Sequence, residues 1–259
     1  IHFVTIQTMK ILAFSFVLLS FTVFGISCDS RTEAEKIVDA AIDAYGGALY
    51  EETAITFDFR GTRYSIFKSP TAFEYSREFT DSTGQVVDVL NNGGFTRKVN
   101  GVLIDTLPEE RIGAFSRSVN SVAYFAFLPY GLNDAAAIKT YLGKTTIKGK
   151  EYHQVKVTFQ AEGGGDHFED EFLYWFGVDD SKMDYMAYSY HTDGGGVRMR
   201  DVRATREVGG IRFQDYNNLK AARKETPLDS MQVLYETGTL VKLSEINLEN
   251  IKTSPLSKN

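Results

Sequence analysis

Hydrophobic positions along the chain fall into three regimes. From Ile11 to Phe24 the sequence is almost continuously Leu, Phe, Val and Ile. From Glu33 to Tyr45 the apolar residues recur at Ala34, Ile37, Val38, Ala41, Ile42 and Tyr45, the spacing of one helical face. From Ala54 the period drops to two: Ile55, Phe57 and Phe59 alternate with Thr56 and Asp58, as on a strand with one buried face.

The end signals agree with these periods. Thr32 is positioned to cap the helix over 33–45, with Glu35 as the capping-box acid and Gly46-Gly47 as the left-handed stop. Strands are predicted at 53–60, 62–68, 71–80, 84–91 and 94–100. Their connections are short and rich in Gly, Asn, Asp and Pro, too short for parallel crossovers, so the sheet is an antiparallel meander. A second helix is predicted over 107–128, with Thr106 as N-cap, an early Pro108 and Glu109 as capping acid. Its apolar stripe is Ile112, Phe115, Val119, Val122 and Ala126, and it ends in the aromatic run Tyr124-Phe-Ala-Phe-Leu-Pro129. Strands resume at 137–148, 151–160, 167–177, 184–192, 196–208, 210–219, 231–237 and 238–248. Val208-Gly-Gly-Ile211 reads as a two-residue hairpin, with Glu207 facing Arg212 and Arg203 facing Tyr216. The predicted fold class is α+β, mainly β: a strongly curved antiparallel sheet, a half-barrel, packing the two helices on its concave face. Residues 32–251 form one expected domain, and 252–259 a frayed tail.

The first apolar run has a different meaning. Lys10 precedes it and Gly25-Ile26-Ser27-Cys28 follows, which is the layout of a secretory signal with a cleavage site. It falls short of the roughly 20 residues a membrane span needs. Because the only cysteine closes this motif, Cys28 is the expected lipid-attachment site, with 9–27 as signal peptide, 28–31 as tether and 1–8 as upstream translation before Met9. Acyl chains there would hold the protein on a membrane without a transmembrane helix. Asp29 matches an inner-membrane retention signal of enteric bacteria, a rule that does not carry to all Gram-negative groups. The expected location is the Gram-negative cell envelope, on the outer membrane rather than the inner.

Composition narrows the function classes. The formal net charge is −6, and cutting ahead of Cys28 removes Lys10 and no acid, which argues against nucleic acid as a partner. One cysteine excludes an intrachain disulfide and a cysteine-based zinc site. Nucleophile-elbow, phosphate-loop and dinucleotide-glycine motifs are missing, so no catalytic residue, metal centre or cofactor is assigned. His167, Glu169 and Glu171 would share a strand face that either holds a metal or is simply solvated; His191 joins them only if the fold brings it near. Arg198, Arg200, Arg203 and Arg212, with Arg206, concentrate positive charge in one hairpin, which would either clamp an anionic headgroup or pair with Asp201, Glu207 and Asp215.

Several segments, Val122-Ala-Tyr-Phe-Ala-Phe-Leu-Pro-Tyr130, Phe172-Leu-Tyr-Trp175, Met183-Asp-Tyr-Met-Ala-Tyr-Ser-Tyr190, Gly194-Gly-Gly-Val-Arg-Met-Arg200 and Gly210-Ile-Arg-Phe-Gln-Asp-Tyr216, resemble an uncharacterised family of Gram-negative lipoproteins. Helix, meander and mid-sheet helix together are also similar, in architecture, to the outer-membrane lipoprotein-carrier fold (LolA/LolB-like). That resemblance implies a half-barrel closed over helices around an apolar cavity.

The expected function is therefore a lipid-anchored binding or carrier module for a lipid or other amphiphile. The candidate cavity is lined by Phe115, Val119, Val122, Tyr124 and Phe125, with Tyr174 or Trp175 opposite, and the arginines form its rim. Two alternatives stay open: an interaction lipoprotein whose aromatic helix end fills the core, and an envelope enzyme using His167, His191 and carboxylates.

Overall fold

The first helix, α1 (Glu33–Tyr45), begins with both halves of a capping box. The Glu35 amide donates to Thr32 Oγ1 at 3.2 Å, and the Thr32 amide donates to the Glu35 carboxylate at 2.6 Å. All six apolar positions of its predicted stripe are buried. Gly46 and Gly47 end it at φ 132° and 53°. A side chain at Gly46 would meet the Gly210 carbonyl at 3.0 Å, so this stop is also a close approach between helix and sheet. A single turn, α2 (Leu49–Glu52), follows and buries Tyr50. The computed structural model describes residues 30–162 and 168–256. The expected lipidation at Cys28 and the candidate ligand His167 lie outside the described residues.

Strands occupy half of the described residues, and they form two seven-stranded antiparallel sheets where one was predicted. The first contains β1 (Thr53–Phe59), β2 (Thr62–Lys68), β3 (Phe73–Asp81), β4 (Gly84–Asn91), β5 (Gly94–Val99) and the short β6 (Val102–Leu103). The helix α3 (Glu109–Ala126) then carries the chain to β7 (Ala137–Ile147), which opens the second sheet. That sheet continues through β8 (Lys150–Phe159), β9 (Glu171–Gly177), β10 (Met183–Tyr190), β11 (Gly196–Val208), β12 (Ile211–Lys220) and β13 (Val241–Ile246), with α4 (Met231–Glu236) before the last strand. The final strand, β14 (Glu249–Pro255), leaves the second sheet and pairs with β1 at the edge of the first. The strand orders are β14-β1-β2-β3-β4-β5-β6 and β13-β12-β11-β10-β9-β8-β7, both open, so neither sheet closes into a barrel. The turn from β13 to β14 is held by Asp215, which accepts from the Leu248 amide at 2.9 Å and from Arg206 at 2.7 and 2.8 Å.

Four sequence expectations change here. Residues 231–236 are helix, because Leu228, Met231, Leu234 and Tyr235 bury one side of a turn against the second sheet, which no alternating strand would do. The tail is ordered through β14: Lys252 and Thr253 pair with Thr56 and Ile55, and an edge strand with one solvated side needs no apolar residues to do so. The hairpin pairs Glu207 with Arg212 as predicted, but a bulge between Val202 and Ala204 puts Val202, not Arg203, opposite Tyr216. Finally, α3 starts at Glu109 with Pro108 in the capping position, because proline keeps Leu107 out of the helical region and Thr106 cannot cap.

The core has two parts. The larger joins α1, α2 and α3 to one face of both sheets, through Ile55, Phe57, Ile66, Val119, Ala123, Phe127, Val155, Tyr174, Phe176, Met186 and Tyr216. The smaller lies on the opposite face of the second sheet, where Leu173, Trp175, Ala187, Val197 and Met199 meet Met231 and Leu228. Residues from Arg31 onward form one compact unit.

Candidate functional site

The cavity residues expected from the sequence divide among three places. Phe115 lies on the first sheet: it stacks with Phe95 at 6.0 Å between ring centres and carries the Arg97 guanidinium 3.5 Å above its ring. Arg97 and Arg77 both bind Asp88, which is fully buried, and Arg77 also donates to Ser118 Oγ at 2.6 Å. This half of α3 is therefore seated on a charged cluster. Trp175 points the other way, into the smaller core, and donates its indole N–H to Gln232 Oε1 at 3.1 Å. Strand alternation separates it from Tyr174. The remaining five, Val119, Val122, Tyr124, Phe125 and Tyr174, all lie in or against the larger core, and among them Tyr124 meets Phe125 and Tyr174 between the C-terminal half of α3 and the second sheet.

Aromatic rings fill that meeting place. Tyr124 packs against Phe125, Phe159 and Phe172 at 5.3, 6.1 and 5.5 Å, and Phe125 against Tyr188 at 5.3 Å. Phe172 stacks on both Tyr174 and Tyr188. The Tyr124 and Tyr174 hydroxyls meet at 2.6 Å, and burial pushes both phenols above their ordinary range, so both stay neutral. Val119 is fully buried, whereas Val122, Tyr124, Phe125, Phe159 and Tyr188 are only half-buried. Phe159, Phe172 and Tyr188 were not among the cavity residues expected from the sequence; the run over 172–176 is apolar on both faces of its strand, so no alternation marks which of its residues face α3.

The arginines also separate. Arg203 sits at the bulge and turns to Asn247, Glu245 and Asp215. Arg212 lies near the ring of Tyr45, 5.7 Å from its centre. Arg198 and Arg200 face the aromatic cluster. Arg198 donates to the Tyr190 hydroxyl at 2.5 Å and the Val197 carbonyl at 3.0 Å. Arg200 is only 7% exposed; its guanidinium lies 3.7 Å from the centre of the Phe125 ring and donates to the Tyr188 hydroxyl at 3.1 Å. A cation over an aromatic face gains on the order of 2 kcal/mol when desolvated, less than the several kcal/mol that burying an ion costs.

His191 is exposed, its ring 3.6 Å from Asp170. Glu171 pairs with Lys156 at 2.8 Å. Among the described residues, no three His, Cys, Asp or Glu side chains converge as a metal site would require. Two surface clefts flank the helices. One, of about 190 Å³, lies beside Phe95, Leu103 and Ile112; the other, of about 610 Å³, is a polar groove between α1 and the turn at Tyr130–Asn133. Neither is lined by the aromatic cluster.

Solved structures of low sequence identity share this architecture. A LolA superfamily protein from Nitrosomonas europaea superposes with a TM-score of 0.50 at 10% identity, over 87% of this chain and 96% of that one. An outer-membrane lipoprotein-sorting protein domain from Vibrio parahaemolyticus gives 0.43 at 7% identity, over 87% and 95%. By sequence, the chain belongs to a family of unknown function (DUF6503), whose profile matches residues 13–248. No curated protein matches it in sequence.

Proposed function

We propose that the protein is a lipid-anchored envelope protein that binds or carries an amphiphile, with the acyl chain held between the C-terminal half of α3 and the aromatic face of the second sheet. The observation that carries this reading is the incomplete burial of that seam. Over its 18 residues α3 buries only Val119, Ala123 and Ala126, while Val122, Tyr124 and Phe125 are half-buried, Tyr124 against Phe159 and Phe125 against Tyr188. A large aromatic surface that is neither sealed nor solvated is what an apolar ligand replaces water on. The fold shared with a LolA superfamily protein supports it, and a half-barrel that closes over α1 and α3 belongs to the same proposal. Attachment through Cys28, and residence on the outer membrane of a Gram-negative cell, belong to the same proposal.

The test is uptake of a fluorescent fatty acid by the chain from residue 29 onward. Saturable uptake lost in Val122→Asp, with the melting transition kept, is the expected result. Unchanged uptake in folded Val122→Asp removes the ligand from this seam. No uptake by the unaltered chain favours an interaction lipoprotein with a filled core.

A further inference from the structure

Directly paired residues on neighbouring strands share a face of the sheet, so the register alone defines rows across the second sheet. One row runs Val157, Phe172, Tyr188, Arg198, Lys220 from β8 to β12. The next runs Val155, Tyr174, Met186, Arg200, Asn218. Both change from apolar or aromatic on β8–β10 to cationic or polar on β11–β12, on the face that carries α3. Two features of the cationic end are unfavourable as they stand. Arg198 and Lys220 are like charges directly opposite each other. Arg200 is more than nine-tenths buried, its Nε has no hydrogen-bond partner, and the acceptor Asn218 Oδ1 beside it has none either.

The carboxylates of the hairpin do not relieve this. Asp201 faces the opposite side of the sheet and accepts from the Tyr235 hydroxyl, and Asp215 is taken by Arg206 and Arg203. Asp170, in the turn before β9, accepts from the His191 amide. Among the described residues, no carboxylate lies within ion-pair distance of Arg198, Arg200 or Lys220. The hydroxyls of Tyr188 and Tyr190 supply dipoles only.

We infer that Arg200, with Arg198 and Lys220 beside it, is the docking site for the anionic head of the ligand, a carboxylate or a phosphate, while the chain lies along Phe172, Tyr188 and Phe159. The inference rests on the proposed amphiphile seam and gives its ligand a charge and a direction. A guanidinium presents its N–H groups in a fork that matches either anion, and an acceptor on Nε completes the donors that Tyr188 leaves unmet.

The experiment is calorimetric titration of the chain from residue 29 onward with dodecanoate, dodecyl phosphate and the neutral monododecanoylglycerol, which share one chain length. Both anions are expected to bind at least tenfold more tightly than the neutral lipid. Arg200→Gln is expected to erase that preference, so that the three lipids bind alike, and Arg200→Lys to restore part of it. Equal affinities for the anionic and neutral lipids overturn the inference and leave the carrier reading standing, as does an undiminished preference in Arg200→Gln. Should Arg200→Gln fail to fold, the ratio measured on the unaltered chain decides. Inorganic phosphate competing as well as dodecyl phosphate would make the site a free-anion site and overturn the amphiphile's part in it. Binding of none of the three lipids removes the carrier reading, and this inference with it.

Discussion

The Tyr124 and Tyr174 hydroxyls, 2.6 Å apart, join the aromatic end of α3 to the middle of the second sheet. Each is the other's polar partner inside an otherwise aromatic cluster. Removing one leaves the other buried and unsatisfied, which costs about 1–3 kcal/mol. Tyr124→Phe and Tyr174→Phe should each destabilise by that order, and the double variant by clearly less than the sum. Urea unfolding in a double-mutant cycle reads the coupling; strict additivity would show that the two hydroxyls do not interact.

The other half of α3 rests on charge. Asp88 is fully buried and receives both Arg77 and Arg97, the latter also covering Phe115. Asp88→Ala strands two guanidinium groups and should cost roughly 3–5 kcal/mol. Asp88→Ala behaving like a surface substitution in urea would contradict this account of the seat.

Placement on opposite faces of β9 separates stability from binding. Trp175→Phe loses the indole bond to Gln232 in the smaller core and should cost about 1–3 kcal/mol without changing lipid uptake. Reduced uptake in Trp175→Phe would return this residue to the ligand site.

Deletion of residues 249–259 removes β14, uncovers the edge of β1 and takes Thr253 away from Gly209. A frayed tail would be removed without effect. The structure instead predicts a lower melting temperature and a tendency to associate through the freed edge.

Burial lowers the His153 pKa from its ordinary value; its Nδ1 meets the Tyr141 hydroxyl at 3.1 Å. A group with a depressed folded pKa binds fewer protons folded than unfolded, so its contribution is full above about pH 6.5 and is lost as pH falls through the folded value. His153→Gln should flatten the slope of stability against pH in that window, as measured by urea midpoints at several pH values.

Much of the fold was legible because its signals are local. Thr32 and Glu35 announce α1, and Gly209-Gly210 sets the hairpin register as far as Ala204. What escaped depends on distant partners. The polar residues of β14 gain a place only through the exposed edge of β1, nearly two hundred positions earlier in the chain. The residues of α4 are helical because the back of the second sheet offers Trp175 and Met199 to cover. In the site, helical spacing put Val119, Val122, Tyr124 and Phe125 on one candidate lining, and all four lie in or against the larger core. It could not assign Phe115 to a different sheet, because that division depends on Arg97 and Asp88 coming from β5 and β4.

The central claim is that an amphiphile lies between α3 and the second sheet, and native mass spectrometry tests it most directly. The chain from residue 29 onward, exported to the periplasm of a Gram-negative host and purified without detergent, should carry a discrete lipid mass that solvent extraction releases and that Val122→Asp lacks. A clean unliganded mass that takes up neither fatty acids nor phospholipids would contradict it.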